Sequence, residues 1–387
     1  MRNRYGKARV VAIAALSMIC ASGVATATAQ TAADPPASPR VVPPVAVLAS
    51  GLQDPREISL HRGHLIVTEA GAGKVTSISL RNPQNVRTLV SGLGEQVSSG
   101  AVKRGKRLFI TTAEAGGTPG RLSPDSPTYP ASSVLVAKRN RHTQMMQVDR
   151  FADLLAFELA NNPDGQTQFD GSHNPLDALS NPFYILKMRG WWGRGPRLLV
   201  ADGGANVVLK VGRRGKVSTF FVPPTVNTGA CAGRPNNDAQ STGCDAVPTG
   251  IAYGPGNRLY VSALTGEAPG EGRVYVLNAD TGKLKWTVSG FTTPTGVAVA
   301  PNGAIYVSEV MEGLPQGPPA PGFDPATVGR IVRVAPNGQR TYAQVAMPTG
   351  LLWHRGSLYS TTWSVGSFMG MANSGQVVRV AGSAFLP

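Results

Sequence analysis

Pro294-Thr295-Gly296-Val297-Ala298-Val299, a turn at Pro301-Asn302-Gly303, then Ile305-Tyr306-Val307-Ser308-Glu309: these residues are the clearest copy of a unit that recurs along the chain. Both runs are short, β-branched or aromatic, and bounded by turn formers, which predicts a pair of antiparallel strands. The lead-ins are Pro55-Arg56-Glu57-Ile58, Ser98-Ser99-Gly100-Ala101, Pro182-Phe183-Tyr184-Ile185, Pro248-Thr249-Gly250-Ile251, the quoted copy, and Pro348-Thr349-Gly350-Leu351. Their second runs are Leu65 to Glu69, Leu108 to Thr112, Leu198 to Asp202, Leu259 to Ala263, Ile305 to Glu309 and Leu358 to Thr362.

A third strand-like run follows each second one, for example Lys74 to Ile78 and Val377 to Val380, and a fourth follows in five units. The sixth unit runs out of chain, while Val45 to Ala49 stands unclaimed before the first. The pattern predicts an all-β fold, a six-bladed β-propeller of four-stranded antiparallel blades, its last blade closed by the N-terminal strand. Closure of that kind leaves no open sheet edge.

Connections can then be sorted by face. First-to-second and third-to-fourth turns lie at one end, second-to-third loops and blade crossings at the other. Segments 113–133, 155–181, 223–247, 264–272, 310–329 and 363–375 all fall on the second face, where a ligand is expected. The short-turn face collects cations, among them Lys103, Arg104, Arg139, Arg189, Arg194, Arg213 and Arg214, with Trp191 and Trp192. These account for much of the net charge of +15.

Arg2, Arg4, Lys7 and Arg9 precede an apolar segment from Val10 to Ala21, then Ala27-Thr28-Ala29. Residues 1–29 read as a secretory signal peptide, too short to span a membrane. Five prolines make 30–44 an extended linker, and 45–387 is one propeller domain. Cys20 leaves with the signal. Export favours a disulfide between Cys231 and Cys244, closing a surface loop.

Ala152-Asp153-Leu154-Leu155-Ala156-Phe157-Glu158-Leu159-Ala160-Asn161-Asn162-Pro163-Asp164-Gly165, followed by Ser180-Asn181-Pro182-Phe183, resembles the ScyD/ScyE family of secreted, NHL-like six-bladed propellers. The resemblance covers about 45 to 380 and implies fold and export rather than a reaction. Glu57 and Ser98 stand where Gly and Pro are commoner in its repeats. Read from the residues, the insert between blades two and three is a short helix. Asp153 caps it, Leu154, Leu155 and Leu159 form its apolar stripe, and Pro163 stops it.

Strand starts converge on a propeller's axis, so Arg56, Glu57 and Asn181 are candidate ligand-binding residues. Glu69, Glu114, Asp202 and Glu309 just past second strands, and Trp363, join them. Oxygen donors suit calcium, which makes Glu57 and Asn181 the candidate metal ligands and Ca2+ the one cofactor to test. Most other lead-ins offer only Ser, Thr or Gly, a thin donor set for a calcium cage.

No Gly-x-Ser-x-Gly elbow, phosphate loop, dinucleotide fingerprint or zinc spacing occurs. By the face assignment His61, His142 and His354 fall on the basic side, and His173, near Asp170 and Asp177, on the loop side. An exported chain is not expected to meet nucleic acid despite its charge. Three readings remain: a binding protein using its long-loop face for a small molecule or partner, a calcium-dependent lactonase-like or phosphotriesterase-like hydrolase, and an adhesin whose basic Trp-containing face meets anionic envelope polymer or lipid.

Overall fold

Val, Ile, Leu and Tyr dominate the strand runs, and what separates inner from outer strands is whether one or both faces are covered. The second strand of each blade is buried along nearly its whole length, whereas outer strands such as 284–291 are exposed or half-buried along most of theirs. That is the pattern of sheets stacked face to face around an axis.

The computed structural model describes residues 44–94, 98–114, 130–140, 146–189, 197–238, 240–315 and 317–387. Residues 1–43, which hold the segment read as a signal peptide and most of that read as a linker, and His142, Trp191, Trp192 and Arg194 lie outside the described residues. The chain starts with β1 (Val45–Leu52). Blade 1 is β2 (Pro55–His61), β3 (His64–Glu69), β4 (Lys74–Ser79) and β5 (Val86–Val90). Blade 2 is β6 (Ser98–Arg104), β7 (Arg107–Thr112), β8 (Ser133–Arg139) and β9 (Met146–Asp153), followed by helix α1 (Leu154–Asn161). Blade 3 is β10 (Pro182–Lys187), β11 (Leu198–Asp202), β12 (Val207–Val211) and β13 (Val217–Phe221). Blade 4 is β14 (Pro248–Gly254), β15 (Arg258–Ala263), β16 (Gly272–Asn278) and β17 (Leu284–Phe291). Blade 5 is β18 (Pro294–Val299), β19 (Ile305–Glu309), β20 (Arg330–Val334) and β21 (Arg340–Gln344). Blade 6 is β22 (Leu351–His354), β23 (Ser357–Thr362) and β24 (Gly375–Val380), with β1 as its fourth strand in the order β1-β24-β23-β22.

The chain is a six-bladed propeller of four-stranded antiparallel sheets closed by its N-terminal strand, as the repeats predict. One apolar cluster fills each blade interface; Phe109, Leu154, Val200 and Leu209 join blades 2 and 3, and Tyr260, Phe291, Val307 and Val332 join blades 4 and 5. Blades 5 and 6 are tied further by Tyr306, stacked on Trp353 with centroids 5.2 Å apart and met edge-on by Phe385.

The helix forms where expected, with Asp153 Oδ1 accepting from the Ala156 N–H at 2.9 Å and Asn162 ending it in a left-handed conformation. Its predicted stripe is corrected: Leu159 is 48% exposed, and Glu158 is the side chain turned inward with Leu154. Long connections gather at one end as sorted, but the β10–β11 connection at the basic end, 188–197, is longer than its neighbours there.

Candidate functional site

The axis is lined by hydroxyls that join one blade to the next. Thr68 Oγ1 donates to Ser99 O at 3.0 Å, Ser99 Oγ to Pro182 O, Thr249 Oγ1 to Pro294 O at 2.9 Å, and Thr295 Oγ1 to Pro348 O at 3.2 Å. Thr349 Oγ1 joins blade 6 to blade 1 on Arg56 O at 3.0 Å. Phe183 stands at the corresponding place in blade 3 and has no hydroxyl to give. The Thr of each Pro-Thr-Gly lead-in is therefore a closure residue, its oxygen already bonded.

Glu57 occupies the place of the lead-in Gly and does something its relatives cannot. Its side chain passes Gly100 of blade 2 and accepts from the Ile185 N–H of blade 3 at 2.9 Å. Gly100 is obligatory to that reach, because a Cβ there would sit 1.9 Å from Glu57 Oε2. Glu57 is buried and its Oε1 has no hydrogen-bond partner. Burial holds its carboxyl well above the usual range, against the Ile185 N–H.

Glu69, Asp202 and Glu309 share one architectural role in alternate blades. Each ends a second strand and accepts an N–H from the crossing that leads into its own blade: Gln53 N to Glu69 at 3.1 Å, Asn181 N to Asp202 at 2.7 Å, Thr292 N to Glu309 at 2.6 Å. A second donor completes each, Lys74 Nζ at 3.2 Å, Ser180 Oγ at 2.7 Å and Arg330 Nε at 2.5 Å. All three are buried. Trp363 is half-buried in an apolar satellite of the loop face with Val310, Val328 and Met347. Arg56 sits at the axis, its guanidinium drawn below its ordinary value by burial against the pull of Asp54.

Asn181, Asp202 and Glu114 are brought together, for Asn181 Oδ1 accepts from Glu114 N at 3.4 Å while its own N–H binds Asp202. Asp202 and Glu114 lie within electrostatic reach of the acids of a recess that the sequence reading missed. It is open to solvent, leaves about 20 Å³ accessible to the centre of a water-sized group, and is lined by Glu158, Asp164, Asp177, Gln168, Asn206 and Asn237 among others. Gln168 Nε2 donates to Glu158 Oε1 at 3.2 Å, Asn206 Nδ2 to Asp164 Oδ2 at 3.1 Å, and Asn237 Nδ2 to Asp177 Oδ2 at 3.2 Å. Glu158 is 3% exposed, and its Oε2 has no partner. The Cys231–Cys244 disulfide forms as expected and closes the loop that carries Asn237. Replacing both cysteines by serine is expected to lower stability by roughly 3 kcal/mol in urea unfolding, through the freed unfolded chain.

The acids of this corner raise one another. Burial, then the charge of Asp164, lifts Glu158 to about 8; burial, then Asp177 and Asp202, lifts Glu114 to about 7. Asp177 and Asp202 rise to about 6, chiefly by burial. Each holds its proton more tightly folded than unfolded, so the folded chain carries extra protons from about pH 4, where free carboxyls titrate, up to about 8. Stability therefore falls as pH rises through that window. Urea unfolding at pH 5 and pH 8 is expected to differ by roughly 1 to 2 kcal/mol in favour of pH 5, discounted for water at the open mouth. Glu158→Gln should flatten the slope, and an unchanged slope would disprove this account.

Among the described residues no group of three or more His, Cys, Asp or Glu is arranged to hold a metal. Glu57 Oε2 and Asn181 Oδ1 each accept a backbone N–H, from Ile185 and Glu114, while Glu57 Oε1 has no hydrogen-bond partner.

At the opposite end Arg104, Arg139, Arg189, Arg213 and Arg214 are exposed and Lys103 half-buried. Their field is felt at His61, held below its ordinary value by burial and then by Lys103, Arg62 and Lys187. Arg189 lies 4.4 Å over the Tyr253 ring. No described helix is long and apolar enough to cross a membrane.

No protein-family model and no curated protein matches this sequence. Solved structures do match over most of the chain. A luciferin-regenerating enzyme is 10% identical with a TM-score of 0.51, covering 88% of this chain and 96% of its own. A putative gluconolactonase is 12% identical with a TM-score of 0.48, covering 89% and 93%, and a streptogramin B lyase 14% identical with a TM-score of 0.44, covering 87% and 95%. At such identity the likeness is one of fold: the chain is similar to six-bladed β-propeller proteins.

Proposed function

We propose that this chain is an exported β-propeller binding protein that engages a small polar molecule through its long-loop face, at the recess between α1 and the crossings 162–181 and 222–247. The observation that carries the reading is Glu158, a buried carboxyl lining a solvent-connected hollow with one oxygen unpartnered. Amides of Gln168, Asn206 and Asn237 orient the acids around it, which is the mixed donor and acceptor surface that polar ligands require. The disulfide and the resemblance of Ala152 to Phe183 to secreted ScyD/ScyE propellers support export.

Hydrogen–deuterium exchange during a screen of small polar compounds tests it. A ligand is expected to protect 154–181 and 234–246. Protection confined to the short-turn connections would overturn the reading.

The alternative is a calcium-dependent hydrolase of lactonase or phosphotriesterase type centred on Glu57, a reaction that fold alone does not bring. It predicts stabilisation by calcium that chelator reverses and Glu57→Gln abolishes.

A further inference from the structure

Resting on that reading, we infer that the recess receives the ammonium group of an organic amine, held by the unpartnered Glu158 Oε2 with Asp164 and Asp177 around it. Three observations converge. The recess admits a water-sized group, which is the size of an ammonium head, and its opening to solvent leaves the rest of a ligand free to extend outward. The residues lining it include three carboxylates and no Lys, Arg or His. Glu158 is nine-tenths and more buried, and a buried acceptor without a donor is the group an N–H donor would satisfy.

The existing bonds leave the acids in acceptor geometry. Asp164 is fixed by Gln166 N and Asn206, and Asp177 by Ala178 N and Asn237, so each carboxylate is oriented and keeps acceptor capacity for a further N–H. A cation among them offsets the mutual repulsion of Glu158 and Asp164, with Asp245, Asp202 and Glu114 adding negative potential from the neighbouring segments. A bare metal ion is the poorer occupant, because no three acids among the described residues are arranged to share one.

The test uses methylammonium, titrated into the intact protein by isothermal calorimetry at pH 6.0 and pH 8.5. An alkylammonium keeps its charge up to about pH 10, so any pH dependence reports the acids. Binding is expected to tighten at least tenfold at the higher pH as Glu158 loses its proton. It should weaken at least tenfold in Glu158→Gln and also in Glu158→Asp, whose carboxylate is withdrawn, while Glu312→Gln, a charge control on blade 5, leaves it unchanged. Glucosamine and putrescine then distinguish an amino sugar from a polyamine as the source. Glucose binding that protects 154–181 and survives Glu158→Gln would keep the loop-face reading and overturn the ammonium. Calcium competing with methylammonium at lower concentration would overturn it in favour of a metal. Silence from every probe, with no protection of the loop face, would overturn both.

Discussion

A chain that begins at Asp54, lacking β1, is expected to lose cooperative unfolding and to elute as aggregate. β1 pairs along β24 from Val45 opposite Val380 to Leu52 opposite Gly375, and Pro44 O accepts from Ala381 N at 2.8 Å. Ala49 and Leu52 are buried in the cluster that joins blade 6 to blade 1. Several ladder hydrogen bonds at about 1 kcal/mol each, plus that apolar burial, sum to at least about 5 kcal/mol. That is the scale of a whole domain's stability. Removal also bares β24 as an edge, which invites pairing with other chains. Circular dichroism melting and gel filtration give the answer, and a synthetic peptide of residues 44–52 should restore a sharp transition. A truncated protein melting within about 2 °C of the intact one would refute this account of closure.

The hub should be nearly as intolerant. Gly296→Ala is expected to destabilise by at least about 3 kcal/mol, because a Cβ there lies 2.0 Å from Thr349 O and 2.8 Å from Ser308 Oγ. Neither neighbour can retreat. Thr349 O accepts from Ser308 Oγ at 2.7 Å, and Thr349 Oγ1 joins blade 6 to blade 1. Gly350→Ala, whose Cβ would meet Arg56 O at 2.4 Å, should follow the same course less severely. Gly171→Ala, with nothing within 4 Å, should be neutral within about 0.5 kcal/mol. Urea midpoints of the three variants settle the order, and equal losses at Gly296 and Gly171 would refute the hub argument.

How far the sequence discloses the molecule depends on which interactions are local. Strand content, blade count and the sorting of loops follow from period and turn chemistry, which act over a few residues, and all are legible in units such as Pro294 to Glu309. The role of the lead-in Thr is not, because its partner is a carbonyl 45 residues away in the case of Thr249 and Pro294. Glu69, Asp202 and Glu309 were read as ligand candidates for lying at the right end of the right strands, yet the N–H groups that engage them come from crossings whose path only the folded ring defines. Glu158 was hidden for a related reason. Helical spacing alone favours Leu159 as the inward residue, whereas the packing of α1 on blades 2 and 3 turns Glu158 inside. The long Asp- and Asn-bearing crossings were the one signal that could have pointed there.

The strand that completes blade 6 is the first of the domain to be synthesised, and its partner is the last. No ring can lock until the ribosome has delivered residues as late as Val380. The nascent polypeptide thus stays unlatched throughout elongation, and the latch engages only once both extremities of the wheel are available together.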